Sequence, residues 1–442
     1  MKRPQPKRKV KDRPIARILR AVLLVLIAAI IVLAVMVTRK SLSGSGDETE
    51  TASLGGRMTT AAPAVSTEAV MSTPALTIPA VTTPAATENT EVAVPPNLVD
   101  ETEDDLERCY LALVTLRNMT LEEKVGQIFI ARCPDTDAIA KIGEYHLGGY
   151  LLFAKDFEGK SADDVRAMIR GYQEAAAVPM FIGVDEEGGI VNRVSSQPAL
   201  RPDPFASPQA IYERGGLPAV REDTLVKSRY LKDLGINVNF APVADVSTDP
   251  ADFIYARTLG RGAAETADYV STVVAAMRET AIGSVLKHFP GYGGNIDTHT
   301  NIARDDRPVD HFRTIDFPPF AAGIASGADA VMVAHNIVEA IDPERPASLS
   351  PEVHRILRED FTFDGMIVTD ELSMAGVSEF VGDEDVAVLA VLAGNDLLCC
   401  TDFETRIAAV VAAVRDGRIP EETIDLAALR VLRAKERLGI LK

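Results

Sequence analysis

Apolar positions along most of this chain come in blocks. From position 126 onward short continuous runs recur: GQIFIAR at 126, GGYLLFA at 148, MFIGVDE at 180, NVNFAPVAD at 237, GSVLKHFP at 283, DAVMVAHN at 329, GMIVTDE at 365 and DLLCC at 396. Runs of this length without in-and-out alternation suit strands buried on both faces, as in a parallel sheet. The stretches between them, such as ADDVRAMIRGYQEAAA and AAETADYVSTVVAAMRETA, carry helical patterning. Thr120-Leu121-Glu122-Glu123 has the form of a capping box and opens the helix before the first run. Successive strand and helix units predict an α/β fold with a single catalytic domain, a (β/α)8 TIM-type barrel. A doubly wound open sheet is the alternative, but no Gly-rich phosphate loop opens the first unit.

The first hundred residues follow another pattern. Residues 21–38, AVLLVLIAAIIVLAVMVT, are uncharged and almost wholly apolar, and Arg39 and Lys40 close the run. Residues 1–20 hold nine Lys or Arg against one acid, Asp12. This predicts a basic cytoplasmic tail over 1–20 and an uncleaved transmembrane signal anchor over 21–38, since the apolar core is longer than that of a cleaved signal peptide. The positive-inside rule then places the protein in the cell membrane as a single-pass protein with its catalytic domain outside the cytoplasm. Residues 39–103 read as a disordered Ser/Thr/Pro-rich linker, because 41–100 contain no Phe, Tyr or Trp with which to build a core. As a flexible coil such a linker reaches on the order of 40 Å. Residues 104–442 remain for the barrel domain.

Charge and cysteine usage narrow the classes. The formal net charge is −18, and the basic N-terminus makes the remainder more acidic still, which disfavours nucleic acid as a partner. Four cysteines, Cys109, Cys133, Cys399 and Cys400, show no spacing that suggests a metal site. A Cys109–Cys133 disulfide stays open.

Polar residues gather where the apolar runs end: Asp185 and Glu186, Asp245, Lys287 and His288, His335, Asp370 and Glu371. In a barrel those ends converge on one mouth. The densest stretch is KHFPGYGGNIDTH at 287–299. Its glycines permit a tight loop, and the loop delivers Asp297 and His299. Two positions apart in an extended segment, they project to the same side, so the carboxylate can orient the imidazole as an acid/base dyad.

KHFPG, a glycine-rich loop and then Asp-Thr-His resemble the catalytic loop of family 3 glycoside hydrolases, specifically their β-N-acetylhexosaminidases. MTLEEKVGQIF, GVDEEGG, NFAPVADV, ARTLG and VTDELSM stand around it in matching order, over residues 119–442. The resemblance implies that Asp370 is the nucleophile of a retaining, two-step hydrolysis, with Glu371 facing the other way along the strand. It implies that His299 is the acid/base, that Asp297 orients it and that Asp185 holds the distal sugar hydroxyls. Arg193, Arg257, Lys287 and His288 would line the rest of the sugar subsite. Tyr292, where family members often carry histidine, and a loop one residue shorter are departures. The implied activity is an exo-β-N-acetylglucosaminidase acting on N-acetylglucosamine-containing oligosaccharides of cell-wall or chitin type, with no metal or organic cofactor. A β-glucosidase or β-xylosidase of the same family generally takes its acid/base from a glutamate outside the barrel. A catalytically inactive wall-binding protein is the alternative from another class.

Overall fold

The computed structural model describes residues 110–294, 303–374, 377, 380–381 and 385–442. The proposed anchor at 21–38 and linker at 39–103 lie outside them, as do Asp297, His299 and Cys109. Among the described residues no helix is long and apolar enough to cross a membrane.

Each apolar run becomes a strand. In chain order these are β1 (Phe129–Arg132), β2 (Gly149–Leu152), β3 (Phe181–Val184), β4 (Val238–Asn239), β5 (Gly283–Phe289), β7 (Ala330–Val333), β9 (Met366–Thr369) and β10 (Leu398–Cys400). Two short strands, β6 (Arg304–Asp305) and β8 (Ile337–Val338), pair beside them as a separate ribbon. The main ladder is parallel throughout and runs β10-β1-β2-β3-β4-β5-β7-β9. A parallel bridge from Val368 to Leu397 joins its two ends and closes the barrel. The predicted strand at 237–245 is shorter than its apolar run, because Pro242 has no N–H to give to the ladder; pairing resumes at Val243 opposite Lys287.

The period of two along each strand sorts the core into two layers. Ile130, Leu151, Phe181, Val238, Val285, Met332, Val368 and Cys399 fill the lumen. Phe129, Leu152, Ile182, Leu286, Val331, Ile367 and Leu398 face the helices instead. The helix Ala162–Ala175 buries Val165, Ile169 and Tyr172, one stripe at helical spacing, and Ser161 caps it. Thr120 caps Leu121–Gln127 as its sequence predicts: its hydroxyl accepts the Glu123 N–H at 3.3 Å and its own N–H reaches the Glu123 carboxylate at 2.7 Å. The segment Pro208–Asp233 is broken at Gly216, whose φ of 61° a side chain would resist.

The C-terminal helix Glu421–Arg437 seals the barrel floor. Val431, Ala434 and Leu438 enter the lumen cluster. Arg430 pairs with Asp396 at 2.9 Å and Arg437 with Asp329 at 3.0 Å, and these two aspartates stand at the bottom of β10 and β7. Cys133 is a buried thiol 3.5 Å from the Tyr172 hydroxyl, and Cys109, its partner in the disulfide left open by the sequence, lies outside the described residues.

Candidate active site

At the opposite end, where the strands finish, the loop after β3 supplies three consecutive acids with three different tasks. Asp185 accepts from Lys287 Nζ at 2.7 Å and faces the mouth. Glu186 is wholly buried and turns away from the mouth. Its carboxylate accepts the backbone N–H groups of Arg193, Val194 and Ser195 at 2.8 to 3.1 Å, which fixes the loop carrying Arg193. Arg193 thereby lies with its guanidinium 5.3 Å from the Phe153 ring centroid and 3.8 Å from Asp185.

Glu187 is the functional residue that sequence reasoning missed. It is buried, lies 2.6 Å from Lys287 Nζ, and takes Arg257 in a two-pronged contact at 2.7 and 2.9 Å. Burial would push its carboxyl up, but Lys287 and Arg257 together outweigh that and draw it down to about 2. Burial likewise works against the Arg257 charge, and Glu187 more than restores it. The three acids of GVDEEGG were visible in the chain; which one meets the cations was not.

Lys287 and His288 belong to β5. Lys287 is almost wholly buried between Asp185 and Glu187, so its ammonium is held in one place. The His288 ring makes contacts through both nitrogens: Nδ1 is 2.7 Å from Asp245 and Nε2 is 3.2 Å from the Arg257 guanidinium. A guanidinium can only donate, so Nε2 accepts and the ring proton on Nδ1 goes to Asp245. Asp245, fully buried, also accepts the N–H groups of His288 and Tyr292 at 3.1 and 2.7 Å. It therefore acts behind the site, holding His288 and the first residues of the glycine loop.

Asp370 follows β9, and its N–H donates to the Val333 carbonyl at 3.1 Å. Its carboxylate accepts the Glu371 N–H at 2.8 Å. The Glu371 side chain binds Thr401, accepting its N–H at 2.9 Å and its hydroxyl at 3.0 Å, and its Oε2 lies 4.0 Å from Cys399 Sγ. Both residues follow β9 rather than lie within it, so strand alternation does not set their directions. His335 braces the chain just beyond Asp370: Nε2 is 3.1 Å from the Glu371 carbonyl, to which it donates, while Nδ1 meets Ser348 at 2.7 Å. The buried Cys399 thiol is pushed well up by burial first and then by the charges of Glu371, Asp370 and Asp185. Asp185 follows β3 and Asp370 follows β9, which places both at the C-terminal end of the parallel barrel. Asp185, Arg193, Arg257, Lys287, His288 and Asp370 are therefore brought to one mouth. Asp297 and His299, outside the described residues, belong to the segment between Gly294 and Ala303. Among the described residues no three His, Cys, Asp or Glu side chains gather as a metal ion would need.

A closed parallel barrel has its acids and cations interlocked at the strands' C-terminal ends, the face on which barrel enzymes carry their active sites. Residues 120–434 match the glycosyl hydrolase family 3 N terminal domain, and the chain belongs to that family. It is 34% identical over 259 residues to a beta-hexosaminidase of Idiomarina loihiensis, covering 58% of this chain and 77% of the relative. It is 29% identical over 327 residues to beta-hexosaminidase A of Pseudoalteromonas piscicida, covering 67% of this chain but 54% of that protein, so it spans about half the relative's length. Among solved structures, a family 3 beta-N-acetylglucosaminidase from Paenibacillus sp. matches with a TM-score of 0.68 and 33% identity, over 73% of this chain and 63% of that one.

Proposed function

We propose that this protein is a retaining exo-β-N-acetylglucosaminidase that removes terminal N-acetylhexosamine residues from cell-wall or chitin-type oligosaccharides. The observation that carries the reading is the joint presentation of Asp370 and the Asp185–Lys287–Glu187–Arg257 cluster at the C-terminal end of one parallel barrel, in a chain similar to beta-hexosaminidases. Asp370 attacks the anomeric carbon and forms a glycosyl-enzyme, while His299 gives its proton to the departing oxygen. His299 then takes a proton from water, which displaces Asp370, and Asp297 orients the ring through both steps. Asp185 and Arg193 hold hydroxyls at the far side of the sugar. Lys287, Arg257 and His288, locked to Glu187 and Asp245, form the wall beside them.

The test separates the two chemical roles. Asp370→Ala abolishes hydrolysis of every substrate. His299→Ala loses on the order of 10² to 10⁴ in rate on a disaccharide. On an activated aryl N-acetylglucosaminide the same variant releases a burst of phenolate and then stalls, and azide restores turnover. Wild-type rates for His299→Ala on both substrates, or equal kcat/KM for the glucose and N-acetylglucosamine aryl glycosides, overturn the reading.

The same proposal places the domain outside the cytoplasm on a single membrane-spanning segment at 21–38, on the strength of its uncharged length and basic flanks. Protease added to intact cells should release a soluble active fragment; complete protection of the enzyme refutes the orientation.

A further inference from the structure

The loop that follows β4 holds a large apolar side chain out of the core beside the site. Ile254 is buried and anchors the loop, whereas its neighbour Phe253 keeps 45% of its surface exposed. The backbone around them is braced. Ser247 Oγ donates to the Asp252 carboxylate at 2.7 Å, the Ala251 N–H to the Asp249 carboxylate at 2.9 Å, and the Tyr255 N–H to the Asp252 carbonyl at 3.1 Å. Gln209 ties the loop from another element, its Nε2 donating to the Tyr255 carbonyl at 2.8 Å. Just past Phe253 the same loop delivers Arg257 to Glu187.

A stack of rings connects Phe253 to the site. The His288 ring, whose Nε2 meets Arg257, stands edge-on to the Tyr292 ring, with centroids 5.7 Å apart and planes at 70°. The Tyr292 ring in turn meets Phe253 at 5.8 Å, with the two planes tilted by 35°. Tyr292 is only 3% exposed and its N–H is held by Asp245 at 2.7 Å, so Phe253 supplies the outer face of the stack. Isolated exposed apolar side chains are ordinary on protein surfaces. Phe253 differs in being a flat ring on a braced loop, backed by a second ring that touches a wall of the site, at the end of the barrel where substrates enter and leave. A pyranose ring is a fitting partner, because its axial C–H groups make one face apolar and an aromatic face can cover it.

We propose that Phe253 binds the leaving group: its exposed face stacks on the sugar ring beyond the scissile bond and makes the enzyme selective for sugar leaving groups over those without a ring. The proposal rests on the glycosidase reading above and adds to it a residue that sets specificity without touching a reacting atom. Stacking holds that ring equally before and during bond cleavage, so its loss falls on KM and leaves kcat nearly unchanged.

The test compares an N-acetylglucosamine disaccharide with N-acetylglucosaminyl fluoride, whose leaving group has no ring. Phe253→Ala should raise KM for the disaccharide about tenfold, the scale of one aromatic stack, with kcat within about twofold of wild type. On the fluoride, kcat/KM should change by less than about twofold. Phe253→Tyr keeps the flat ring and should restore the disaccharide KM. Phe253→Leu keeps an apolar cover on Tyr292 but loses the flat face; it should show the same split in smaller degree, and it decides if the alanine variant does not accumulate as folded protein. Equal losses on the two donors, no loss on either, or a loss that Phe253→Tyr does not recover overturns the proposal. Wild-type protein that cleaves neither donor overturns the glycosidase reading and this proposal with it, whereas wild type that cleaves both, beside variants that keep its preference between them, overturns the proposal alone.

Discussion

Glu187 shows how much of the site depends on a residue that need not touch substrate. Lys287 and Arg257 are both largely buried, and a buried cation without a partner is costly. One carboxylate offsets both and fixes their heads at 2.6 to 2.9 Å. Removing one partner of such a buried pair costs about 3 to 5 kcal/mol. Glu187→Ala should therefore lower the unfolding free energy by about that amount in urea titrations. Glu187→Gln keeps the shape and loses the charge. It should raise KM for an aryl N-acetylglucosaminide by about tenfold, the value of one charge-assisted hydrogen bond, with a smaller change in kcat. Unchanged KM with intact folding would show that the two cations do not depend on Glu187 for their position.

At the scale of elements, the helix Glu421–Arg437 does for the floor what the loops do for the mouth, and it carries a buried charge of its own. Lys435 is fully enclosed; its Nζ donates to Gln127 Oε1 at 2.6 Å and lies 5.2 Å from the Phe181 ring centroid. Neither neighbour is a carboxylate, and burial pulls the ammonium down to about 7 from an ordinary 10.5. Between those values the unfolded chain holds a proton that the folded one does not. Stability from this group is therefore full above about 10.5, declines as pH falls and is lost through about 7. Lys435→Met removes that dependence. The stability difference, wild type minus variant, should grow in favour of wild type between about pH 7 and 10, measured by chemical denaturation at several pH values. Parallel pH profiles would mean that Lys435 keeps its proton in the fold.

For the whole molecule, barrel closure decides what can be separated from what. The Val368–Leu397 bridge and the floor helix tie the first strand's neighbourhood to the last residues of the chain, so 110–442 closes on itself. Every described site residue lies between Asp185 and Asp370, on strands of that barrel or loops between them. A protein beginning at Asp104 should accordingly keep the kcat/KM of the full chain on soluble aryl glycosides. A large loss in a folded truncation of this kind would show that the N-terminal hundred residues take part in binding or catalysis.

The amino-acid sequence by itself determined the eight barrel strands, because continuous apolar runs between helical stretches have few other ways to be buried. It also determined the Thr120 cap, since this follows from a spacing of three along the chain. The candidate site was legible as a set of strand ends. Its wiring was not. Glu187 sits beside two other acids in GVDEEGG, and its partners lie 70 residues away at Arg257 and farther still at Lys287. Arg307 reaches Gly291 across 16 residues and Asp316 across nine. Hydrogen bonds and charge pairs act through space, with no period along the chain to announce them, so only the closed barrel decided which acid holds which base.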